Sequence, residues 1–123
     1  NLYQHDSAPN ALVSCWGAIG NLDWIDQNDD VPVILFHGTE DLVVPYKDGV
    51  PFTINLLLDR VYGSEPINKR LDQTKIVHEI HTKKGGRHEY WGTLSGMWRG
   101  GPNRYFDEIQ EKSYAFLYPL VTK

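Results

Sequence analysis

Several residue classes that would mark a function are scarce or missing. The chain has a single cysteine, Cys15. One cysteine cannot close an internal disulfide, so the redox compartment stays open. Cys15 sits inside an apolar run and reads as a small buried hydrophobe. There is no run of Lys and Arg; the nearest approach is Lys83-Lys84 with Arg87 following, and 16 acidic against 12 basic residues leave a net charge of -4. That argues against the basic face that binds nucleic acid. No apolar stretch nears the ~20 residues a membrane span needs. There is no Asn-x-Ser/Thr sequon, internal repeat or low-complexity segment. The opening Asn-Leu-Tyr-Gln-His-Asp-Ser-Ala-Pro has neither an initiating Met nor a signal-peptide pattern. It reads like a loop or helix end from the middle of a longer protein, so a truncated chain or a proteolytic product is expected.

What remains is ordinary globular material. With 123 residues, 41% hydrophobic and 23% charged, the chain suits one domain and is too short for two. Two nearly continuous apolar runs read as strands buried on both faces of a parallel sheet: Ala11–Trp16 and Val31–Phe36. Pro32 stands at the start of the second, where its missing N–H is tolerated. A third strand is expected over Lys75–His81. It is more polar, which places it near a sheet edge.

Helical patterns lie between and after them. Ile54, Leu57, Leu58 and Val61 fall at i, i+3, i+4, i+7, which predicts a helix over Pro51–Tyr62 stopped by Gly63. Ser64 reads as the cap of a short second helix with Ile67 and Leu71 on one face. A last helix is expected over Asn103–Tyr118, with Phe106, Ile109, Phe116, Leu117 and Leu120 as its apolar stripe and Pro119 ending it. The order strand, strand, helix, strand, helix predicts an α/β fold: three parallel strands with packed helices. The first strand would lack an outer neighbour. That exposed edge predicts a covering partner, either a second copy or an amino-terminal part of a longer chain.

Two loops carry the chemistry. Phe36-His37-Gly38-Thr39-Glu40-Asp41-Leu42-Val43-Val44-Pro45-Tyr46 follows the second strand. Gly85-Gly86-Arg87-His88-Glu89-Tyr90-Trp91-Gly92 follows the third. In open α/β sheets, ligands bind beyond the carboxyl ends of the strands. Asp41 and His88 therefore sit on one rim if the strands are parallel neighbours. A carboxylate there can accept a hydrogen bond from one imidazole nitrogen, fixing the tautomer and stabilising the imidazolium. Taken alone, Asp41 is a turn aspartate bonding its own backbone and His88 a loop histidine. His37 reads as structural. His78 and His81, with Glu79, do not read as a metal site, because strand residues three apart face opposite ways.

The pattern His-Gly-Thr-x-Asp-x-x-Val-Pro after one strand, then Gly-Gly-x-His after the next, resembles the carboxyl-terminal part of the α/β-hydrolases. The nearer likeness is to bacterial esterase/lipase-like members related to carbohydrate esterases. Trp16-Gly17-Ala18, Tyr62-Gly63-Ser64, Ile67 and Arg70-Leu71 extend it over about residues 10 to 120. The resemblance implies that residues 1–123 are the carboxyl-terminal portion of one such domain and that the three strands are the family's sixth to eighth. It implies Asp41 as triad acid and His88 as triad base, acting on a small carboxylic ester. Tyr90 and Trp91 are candidates for lining the substrate pocket, with Trp98 nearby. No cofactor or metal is implied. Localisation stays open, with a secreted or periplasmic parent among the choices.

The family's Gly-x-Ser-x-Gly elbow lies upstream of the acid, and no such motif occurs here. Gly92-Thr93-Leu94-Ser95-Gly96 places its serine one position late and after the histidine. The nucleophile and the oxyanion donors would then lie upstream. The chain alone is expected to be inactive. Its alternative role is that of a non-catalytic unit pairing through the exposed edge.

Overall fold

A computed structural model describes residues 9–52, 57–89 and 104–122. Three parallel strands form the main sheet: β1 (Leu12–Cys15), β2 (Val33–Gly38) and, later in the chain, β5 (His78–Lys83). Their order is β1-β2-β5, with Leu12 opposite Val33 and Val33 opposite His78. β2 is the centre, and all six of its residues are buried. The apolar run of β2 is explained by helices on both faces.

Alternation along β2 divides the core in two. Ile34 and Phe36 join Trp16, Ile109 and Phe116 on one face, beneath α2 (Arg104–Val121). Val33 and Leu35 join Ile67, Leu71 and Ile76 on the other, beneath α1 (Ser64–Thr74). The result is a three-stranded parallel α/β sheet flanked by a helix on each face, the expected class and strand arrangement.

Several local expectations fail for identifiable reasons. Over the predicted helix Pro51–Tyr62, the described residues form turns and a short strand, β4 (Val61–Tyr62). β4 pairs antiparallel with β3 (Asp48–Gly49), and Tyr62 also bridges to Ile19. Two strand pairings outweigh the helical period here. Leu57 is 96% exposed, so the period gains no burial on its behalf. Ile54 lies outside the described residues.

Gly63 does not end a helix; it is the N-cap of α1, and no side chain caps that end. The expected cap, Ser64, is itself the first helical residue. Loop carbonyls replace it: the Gly63 and Glu65 amides donate to Lys47 and Tyr46. A Cβ on Gly63 would lie 1.8 Å from the Pro45 carbonyl oxygen, so only glycine allows this contact.

The third strand starts later than expected because Lys75 is spent on the left-handed C-cap of α1, at φ 61°. It does lie at a sheet edge. The first strand is less enclosed than its sequence suggests: its residues are half-buried or exposed, with Leu12 46% exposed. Pro119 does not end α2; it stands in the last turn, where the Thr122 amide and hydroxyl both bond to the Tyr118 carbonyl.

Candidate functional site

Parallel strands place their carboxyl ends on one rim, and each strand there delivers one residue. Trp16 directly follows β1, β2 runs into the loop bearing Asp41, and β5 into the loop bearing His88. Trp16 takes φ 45°, a left-handed backbone rarely adopted by so bulky a residue. Its ring packs edge-on to His88, with centroids 6.0 Å apart.

The two loops are joined by their backbones. The Thr39 amide donates to the Lys83 carbonyl at 3.0 Å and the Glu40 amide to the Gly86 carbonyl at 2.9 Å. The Gly85 amide donates to Thr39 Oγ1 at 2.8 Å. Gly38 makes this approach possible, since a Cβ on it would fall 2.1 Å from the Gly86 oxygen. Gly85, at φ 71°, turns the β5 chain back toward the Asp41 loop.

Asp41 is buried, and its two carboxylate oxygens have separate tasks. Oδ1 accepts the Val43 and Val44 amides at 2.8 and 2.9 Å, which is the turn role of an ordinary loop aspartate. Oδ2 accepts from His88 Nδ1 at 2.8 Å, and His37 Nε2 stands 3.2 Å from the same atom. The turn role and the imidazole-holding role are therefore both filled at once. Burial alone would raise the Asp41 pKa. The hydrogen bonds from His37, His88, Val44 and Val43 outweigh it and hold the carboxyl well below the usual carboxylate range.

His88 is half-buried, its side chain 21% exposed. With Nδ1–H given to Asp41, the neutral ring presents Nε2 as a proton acceptor. The arrangement is an imidazole whose orientation is set by a buried, ionised carboxylate.

His37 is fully buried, as a structural residue would be, and it also reaches the acid. Its Nδ1 meets Ser64 Oγ at 2.8 Å and its Nε2 meets the Val44 carbonyl at 3.0 Å. Ser64 carried no local signal for this contact, because its partner lies 27 positions away on another element. The contribution of Trp16 was equally invisible.

The other two described histidines have other partners. His78 bonds to the Ile76 carbonyl and pairs with Asp72, while His81 pairs with Glu79. Among the described residues, no group of three or more His, Cys, Asp or Glu is placed to hold a metal ion. Tyr90, Trp91, Ser95 and Trp98 lie outside the described residues.

The chain is similar to a non-heme chloroperoxidase from Streptomyces lividans, at 44% identity over 59 residues. That match takes in 46% of the chain and 21% of the relative, so the chain spans about a fifth of that protein's length. The likeness supports an enzyme of α/β-hydrolase type at the coarse level of the superfamily. No protein-family profile matches the chain. No solved structure matches it either.

Proposed function

We propose that Asp41 and His88 are the acid and base of a serine hydrolase that cleaves carboxylic esters, an α/β-hydrolase of esterase or lipase type. The observation that carries this reading is the 2.8 Å bond from His88 Nδ1 to the buried Oδ2 of Asp41, on the rim where a parallel sheet binds its ligands. The serine and the oxyanion donors come from residues beyond those in this sequence. The serine hydroxyl attacks the ester carbonyl while His88 Nε2 takes its proton. His88 then returns that proton to the leaving alcohol, leaving an acyl-enzyme that water hydrolyses by the same relay. Asp41 stays ionised throughout and holds the imidazolium.

The test is hydrolysis of a short-chain aryl ester by a protein that carries both these residues and the serine. Loss of turnover in His88→Ala is expected, and full activity in that variant sinks the reading. The name of the Streptomyces relative makes chloride oxidation the reaction to assay beside it.

A second reading is a non-catalytic unit that associates through β1. It is favoured by the pairing of β1 on one side only among the described residues. An apolar cavity of about 280 Å³ also lies beside Leu12, Ile19, Val33 and Ile67. The expected outcome is a dimer or larger species by light scattering. A folded chain that stays monomeric at high concentration counts against it.

A further inference from the structure

We propose that His37 and Ser64 are positioning residues, forming with Asp41 a buried hydrogen-bonded chain that fixes the carboxylate oxygen facing His88. This rests on the reading of Asp41 and His88 as an acid–base pair and extends it two residues inward.

The three side chains have no solvent contact: Ser64 and His37 are 0% exposed, and so is the Asp41 side chain. They come from three elements, α1, β2 and the loop after β2. His37 Nε2 faces two acceptors, the Val44 carbonyl at 3.0 Å and Asp41 Oδ2 at 3.2 Å. Neither can donate, so Nε2 carries the proton. In the neutral ring, Nδ1 is then left with a lone pair, and the Ser64 hydroxyl at 2.8 Å donates to it. Tyr46 packs edge-on against the imidazole, with centroids 5.6 Å apart. The ring is thereby held in one orientation and one tautomer.

Val44 closes the arrangement. Its amide donates to Asp41 Oδ1 and its carbonyl accepts from His37. One peptide unit on each side of Val44 thus brackets the acid and the buried imidazole together. Packing alone would be served as well by an apolar residue at position 37, without the cost of burying two ring nitrogens. A polar ring with both nitrogens satisfied instead specifies geometry. The Gly63–Pro45 contact brings the first residue of α1 close enough to take part.

Asp41 Oδ2 therefore receives a donor from the exposed side, His88, and another from the buried side, His37. Removing the inner donor leaves Oδ2 with His88 alone, while the Val43 and Val44 amides keep their hold on Oδ1. Oδ2 then tilts about that anchor, and His88 loses its single fixed acceptor position.

The experiment is nitrogen-15 NMR of histidine-labelled chain at about pH 9, where an ordinary imidazole of pKa ~6.5 is neutral. The wild type is expected to show His88 as a single Nδ1–H tautomer. Ser64→Ala and His37→Leu are expected to convert it to a mixture of tautomers. His37→Gln, whose amide places a donor near the former Nε2, is expected to restore the single form. Ser64→Ala keeps a good helix former at the start of α1. It decides the matter if His37→Leu fails to fold. An unchanged single Nδ1–H tautomer in Ser64→Ala and in every His37 variant that folds overturns this inference while leaving the acid–base pair intact. A wild-type His88 that is Nε2–H or mixed overturns the acid–base reading itself.

Discussion

Asp41 and His88 stand 47 positions apart in the chain, and Oδ2 of one meets Nδ1 of the other at 2.8 Å. The bond is placed by backbone rather than by reach of long side chains. β2 and β5 are adjacent parallel strands, and their loops continue to bond to each other past the end of the ladder, through Thr39, Glu40, Gly85 and Gly86. Both side chains are short, so small loop movements would separate them.

Asp41→Asn tests the pairing directly. An asparagine oxygen still serves the Val43 and Val44 amides, which turns its NH₂ toward His37 and His88. Donor then faces donor on both sides. The expected outcomes are a His88 tautomer flip, a loss of about 1–3 kcal/mol of stability from the unpaired buried groups, and a fall in ester turnover of about 10⁴-fold in the serine-bearing protein. Turnover kinetics and urea unfolding check these; a variant with unchanged kcat would remove Asp41 from the mechanism.

Gly38→Ala is expected to cost about 3 kcal/mol, at the upper end of ordinary overpacking. Its Cβ would collide with the Gly86 backbone, which has no rotamer to change. Gly20→Ala is the matched control. Its nearest neighbour would be a Trp24 ring carbon at 3.5 Å, ordinary contact, so a change within about 0.5 kcal/mol is expected. Equal urea midpoints for the two variants would contradict the close approach of the loops.

The sheet and both helices over it were legible because their signals are local. Val33–Phe36 is an unbroken apolar run, and Ile67 with Leu71 marks one face of α1. The same logic failed over Pro51–Tyr62, where Val61, the last of four apolar residues at helical spacing, belongs to a strand pairing that no local pattern reveals. Position 63 shows the limit well. Glycine there suits a helix stop in sequence, whereas its real constraint is a carbonyl from Pro45, eighteen positions back. At the site, Asp41 and His88 could be found because each follows a strand and a turn glycine. Ser64 could not, since its contact with His37 exists only once α1 has docked.

Acid sensitivity follows from Asp41. Its carboxyl titrates lower in the folded chain than the ~3.9 of an unfolded aspartate, so the unfolded state binds more protons below that value. The stabilisation is complete above about pH 5 and declines as the pH falls through ~4 and lower. Asp48 and Glu108 are lowered too, by Arg60 and Lys112, but they are exposed and contribute little. Urea midpoints measured between neutral and acid pH should fall less steeply in Asp41→Asn than in the wild type. Parallel curves would show that Asp41 does not govern the acid limb.

Cys15 offers an independent probe of the edge strand. Burial pushes its thiol pKa up, so thiolate is scarce at neutral pH. Reaction with an aromatic disulfide reagent is expected to be slow in the folded chain and fast in urea. Equal rates in the two conditions would show that β1 opens freely.

The stitching of the two loops bears on how the pair could be moved elsewhere. Asp41 and His88 cannot be transplanted as two point substitutions on another parallel sheet. Their geometry travels with the segments Phe36–Asp41 and Lys83–His88, including three small residues without catalytic chemistry: Gly38, Gly85 and Gly86. A designer who grafts these segments onto adjacent parallel strands inherits the alignment. One who copies only the acid and the imidazole inherits two side chains with nothing to aim them.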